Sequence, residues 1–74
     1  MSWNKEGKKI FGLYMSMKEY PFFGTVIDSR VGYGKNPLIH HLVVLDEPML
    51  VYGEKRDSIV VVKGRDLFSF CDET

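Results

Sequence analysis

The sequence predicts an all-β fold: one small, five-stranded, partly open barrel. Three observations predict it. Apolar runs rich in β-branched and aromatic residues recur: Phe22-Phe23-Gly24-Thr25-Val26-Ile27, Ile39-His40-His41-Leu42-Val43-Val44-Leu45 and Ile59-Val60-Val61-Val62. Breaks rich in Gly, Pro and charge separate them at hairpin spacing. The 74 residues span a single domain, residues 1–74, for which curling one sheet on itself buries a core and protects the edges without a second layer.

The first element is open to two readings. Ile10, Leu13, Tyr14 and Met17 follow helical spacing, whereas Phe11, Leu13, Met15 and Met17 alternate strictly. Gly7 and Gly12 weigh against a helix, each interior Gly costing roughly 1 kcal/mol relative to Ala, so a strand is preferred. Met17-Lys18-Glu19-Tyr20-Pro21 reads as a connection, because proline offers no ladder donor and pushes Tyr20 towards an extended conformation. A second strand then runs from Phe22 or Phe23 to Val31. Gly32-Tyr33-Gly34-Lys35-Asn36-Pro37 carries turn chemistry.

The returning strand, Leu38 to Leu45, is expected to stop at Asp46-Glu47-Pro48. Met49-Leu50-Val51-Tyr52 reads as a short further strand or arm, and Gly53-Glu54-Lys55-Arg56-Asp57 as a charged loop. Ile59 to Val62 forms the next strand, Lys63-Gly64-Arg65-Asp66 a tight turn, and Leu67-Phe68-Ser69-Phe70 the last strand. Residues 1–7 and 71–74 are expected to fray.

Leu38 to Leu45 is apolar on both faces. Alternation gives Ile39, His41, Val43 and Leu45 to one side and Leu38, His40, Leu42 and Val44 to the other. A strand in a one-layer sheet should be polar outside. The N-terminal segment, a second copy or a partner must therefore cover the second face.

Gly7-Lys8-Lys9-Ile10 followed by Phe23-Gly24-Thr25-Val26-Ile27 resembles the SH3-like small barrels that include the KOW motif of ribosomal and transcription-elongation proteins. Val43-Val44-Leu45-Asp46, and Ile59 to Val62 ahead of Asp66-Leu67, look like that family's later strands and final turn. The resemblance implies an SH3-like barrel and, by carry-over, nucleic-acid contact. RNA-binding KOW domains are richer in Lys and Arg and carry more Gly in the first loop, where this chain has Met15-Ser16-Met17-Lys18-Glu19-Tyr20. The small unaccompanied domain also looks like accessory proteins of tailed bacteriophages.

Charge argues in the same direction. Ten Lys plus Arg balance ten Asp plus Glu, so no global positive field exists to hold polyanions. A nucleic-acid face would have to be local, and Lys8, Lys9, Arg30, Tyr33 and Lys35 are the residues that could form it, by stacking on Tyr33 and phosphate contacts. A single cysteine, Cys71, allows no internal disulfide and no Cys-rich metal site. With no apolar leader and no run of about 18 apolar residues, a reducing cytoplasmic setting without membrane contact is expected.

Adjacent His40 and His41 point to opposite faces of a strand and cannot readily share one metal ion, so no metal or cofactor is expected. Ser29, His40, Asp46 and Cys71 are ingredients for nucleophilic catalysis without a surrounding motif, and such sites are defined by geometry. The expectation is therefore a non-enzymatic interaction module that binds a protein partner or its own copy. Leu38, Leu42 and Val44 would form its surface, with Tyr33 or Tyr52 in support. A KOW-like nucleic-acid module, or a small-ligand binder at a subunit boundary, are the alternatives.

Overall fold

A computed structural model describes residues 4–32 and 38–71. Five strands follow in chain order: β1 Lys9–Met15, β2 Glu19–Gly32, β3 Leu38–Val51, β4 Glu54–Val62 and β5 Leu67–Phe70. They form one antiparallel sheet in the order β4-β3-β2-β1-β5. The all-β expectation holds, and alternation wins over helical spacing in the first element. Gly12 explains why: a Cβ there would run into the Leu67 carbonyl oxygen, so β5 can lie against β1 only where the side chain is missing.

The order of strands forces the sheet to curl. β4 and β5 occupy opposite edges, about 19 Å apart in a flat five-stranded sheet. The chain from Val62 to Leu67 spans at most about 17 Å. The actual connection is far tighter, since the N–H groups of Arg65 and Asp66 both donate to the Val62 carbonyl, at 3.0 and 2.9 Å. The sheet is curled but not closed, because the two edge strands do not pair.

The concave side holds the core: Ile10, Phe22, Val26, Val43, Leu45, Ile59 and Val61, with Tyr14, Met49, Phe68 and Phe70 packed against it. Ile10, Val26, Val43 and Val61 are completely buried, each contributing about 1.5–3 kcal/mol relative to an exposed side chain.

Several boundaries differ from the sequence reading. The first turn is only residues 16–18, and β2 already includes Tyr20 and Pro21. Val26 N–H donates to Lys8 O, and amide directions alternate along a strand, so position 21 faces away from β1 towards the side of β3. Pairing with β3 extends only to Gly24, opposite Leu45, and the missing donor of Pro21 interrupts no ladder. Asp46-Glu47-Pro48 does not end β3. The strand arches away from β4 between Val44 and Met49, then pairs again, with Met49, Leu50 and Val51 opposite Arg56, Lys55 and Glu54. The supposed charged loop is thus the start of β4, and only Tyr52-Gly53 turns.

The turn expected near residues 32–37 falls outside the described residues from Tyr33 to Pro37, but β2 and β3 pair up to Gly32 opposite Leu38. In residues 5–8, Gly7 N–H donates to Val26 O (2.7 Å), Lys8 N–H to Lys5 O (3.0 Å) and Lys5 N–H to Ser29 Oγ (3.1 Å). No helix among the described residues is long and apolar enough to cross a membrane.

Candidate interaction face

The convex surface of β2, β3 and β4 is built by one irregularity. Upstream in β2 the buried residues are Phe22, Gly24 and Val26; downstream the buried residue is Ser29, so the inward parity changes between them. A β-bulge at Ile27 makes the change, because Val26 faces Val43 while Asp28, not Ile27, faces Leu42. Were Ile27 an ordinary strand residue, the alternation that buries Phe22, Gly24 and Val26 would carry Asp28 and Arg30 into the core.

With that register set, three rows cross the convex face. Asp28, Leu42 and Val60 lie side by side; Arg30 sits beside His40; Thr25, Val44 and Ser58 form the third row. Leu38 at the start of β3, Val44 within it and Val60 on edge strand β4 are 45, 41 and 44% exposed, and together they form a contiguous apolar surface. Asp28, Arg30, His40, Leu42 and Val60 line a shallow groove of about 270 Å³. The described N-terminal residues do not cover this face. They lie on the concave side, where Lys5 bonds inward-facing Ser29 and places its Nζ over the Phe70 ring, 5.2 Å from the centroid.

Of the residues singled out in the sequence, Leu38, Leu42 and Val44 therefore share one face. Tyr33 lies outside the described residues. Tyr52 sits at the far end of β3, in the turn to β4, where its hydroxyl donates to Ser16 O (2.8 Å) and its ring stands edge-on to Tyr20. It supports a different depression, lined by Met17, Tyr20 and Leu50. Val60, Asp28 and Arg30 complete the face. The alternation within β3 could not reveal them, because the bulge and the β3–β4 register decide which residues stand beside Leu42.

The cationic set is not brought together as a free surface. Lys9 Nζ pairs with Asp46 at 3.0 Å and lies over the Phe23 ring; Arg30 Nε pairs with Asp28 at 2.9 Å. Lys35 is outside the described residues, and Lys8 meets no carboxylate among the described residues.

His40 and His41 separate as alternation requires. His40 joins the convex face, and His41 is buried, with its ring edge-on to Phe68 and Phe70. Ser29 meets His41 rather than His40, with Oγ 2.7 Å from Nδ1. Ser29 Oγ accepts from Lys5 N–H; assigning its own proton to Nδ1 satisfies the hydroxyl fully and puts the neutral ring's hydrogen on Nε2. Burial first, then the electrostatic influence of Lys5, His40 and Lys63, holds the His41 pKa below its ordinary 6.5. Asp46 is paired with Lys9 and Cys71 is exposed, so the four catalytic ingredients do not assemble. Among the described residues no three His, Cys, Asp or Glu side chains converge as a metal site.

The chain matches no family model, no curated protein and no solved structure.

Proposed function

We propose that this protein is a non-enzymatic interaction module that docks a protein surface against the convex face of β2, β3 and β4. One observation carries the reading: Leu38, Val44 and Val60 stay nearly half exposed around Leu42, in a chain whose described N-terminal residues lie on the other side of the sheet. Apolar side chains grouped on one regular surface, with the Asp28–Arg30 charge pair among them, have the composition of a binding patch. The balance of ten basic and ten acidic residues and the Lys9–Asp46 ion pair weigh against a nucleic-acid face.

Methyl relaxation by a soluble paramagnetic agent, measured on dilute protein, tests the reading. Leu38, Val44 and Val60 should relax strongly, and Ile10 and Val43 weakly. Equal shielding of both sets in the monomer refutes a docking face.

A further inference from the structure

We infer that the occupant of this face is a second copy of the chain, packed face to face about a two-fold axis that crosses β2 near Ser29. The inference rests on the docking-face reading above and adds the partner's identity. A two-fold interface must be complementary to itself. An axis lying in the contact plane and crossing the strands places residue 28 of one protomer against residue 30 of the other. Those residues are Asp28 and Arg30, which the bulge turns outward on the same face.

The ion pair within one protomer leaves both partners with capacity to spare. Among the described residues Arg30 uses only Nε and Asp28 only Oδ2, so both terminal guanidinium nitrogens and Oδ1 have capacity for a neighbour. Arg30 is open to such an approach, its side chain being 82% exposed. Two copies would close a ring of four alternating charges; beside it the same operation sets Leu42 of one copy against His40 of the other, Val60 against Val62, and Leu38 against Val44. The chain's zero formal charge imposes no net repulsion between copies.

Association through the β4 edge is disfavoured. The Val60 carbonyl already accepts from the Arg65 guanidinium at 3.0 Å, and Val62 N–H donates to Asp66 Oδ2 at 2.8 Å. An incoming strand would find those ladder groups occupied.

Sedimentation velocity from micromolar to millimolar concentration, with amide dispersion spectra to verify folding, decides the matter. The wild type should show a concentration-dependent dimer. Asp28→Arg and Arg30→Asp should each weaken it about tenfold or more by setting like charges opposite one another. An equimolar mixture of the two variants should recover a heterodimer, which a merely damaged fold cannot do. Val60→Glu should weaken the dimer without altering the fold, since Val60 is an exposed side chain. A strict monomer throughout, or a dimer indifferent to Arg30→Asp and Val60→Glu, overturns the inference. In that event the paramagnetic measurement still decides the docking face separately, because it is made on the monomer.

Discussion

His41 shows how one buried residue sets a pH dependence. It holds Ser29 through Nδ1, and Ser29 in turn holds the backbone of Lys5. Protonation at Nδ1 makes the ring a donor. Ser29 Oγ must then accept from both sides, and its own proton loses its acceptor in a buried place. The groups acting on the ring, Lys5, His40 and Lys63, all oppose the added charge. The folded pKa lies below the unfolded value of 6.5, so the unfolded chain takes up the proton first. Stability is therefore full above 6.5, declines as pH falls from 6.5 towards the lowered native value, and flattens below it. Urea midpoints measured from pH 7 down to about 5, above most carboxylate titrations, should show this decline. His41→Gln should flatten it, and an unchanged slope in that variant would remove His41 as its source.

At the scale of elements, strands with unbroken alternation were legible and those shaped by distant contacts were not. Leu38 to Leu45 declares both faces because its period of two is complete. Pro21 reads as a break, yet β3 leaves β2 beyond Gly24 and makes the proline harmless, a fact that depends on residues far along the chain. Val51-Tyr52-Gly53-Glu54 lacks an Asn-Gly or Asp-Gly signal, but it makes a two-residue hairpin turn with positive φ at Tyr52 (55°) and Gly53 (78°). A tyrosine in that conformation is strained, and its hydroxyl compensates through Ser16 O at 2.8 Å and Ser16 Oγ at 3.2 Å. Those bonds join the β3–β4 turn to the β1–β2 turn, where Met17 also has positive φ (65°). Tyr52→Phe should cost about 1 kcal/mol and speed amide exchange at Ser16, while Tyr20 keeps its ring contact. Protection at Ser16 equal to wild type would show that the two turns are held by something else.

At the scale of the molecule, the decisive residue is Asp66, which fastens the curl that the strand order demands. The sequence shows Lys63 to Asp66 only as a tight turn, because nothing local indicates what its carboxylate will reach. Its side chain is fully buried. Oδ1 accepts from Met15 N–H at the end of β1, and Oδ2 from Val62 N–H at the end of β4, both at 2.8 Å. Arg65 supplies the countercharge through Nε and a terminal nitrogen at 3.0 and 2.8 Å. One carboxylate thus ties two strands that the sheet order keeps apart, and β5 enters its place beside β1 immediately afterwards. Asp66→Ala leaves two backbone donors without this acceptor, at about 1–3 kcal/mol for each that stays buried. A loss of about 3 kcal/mol is expected from a total stability of roughly 4–11 kcal/mol for 74 residues. Asp66→Asn keeps one oxygen but turns an amide donor towards the other N–H, so it should recover less than half of that loss. Denaturant unfolding gives the magnitudes, and amide exchange the location: protection should fall first at Met15, Val62 and along β5. If Asp66→Ala unfolds at the wild-type midpoint with those amides still protected, then packing of the concave core, rather than this carboxylate, holds the curl together.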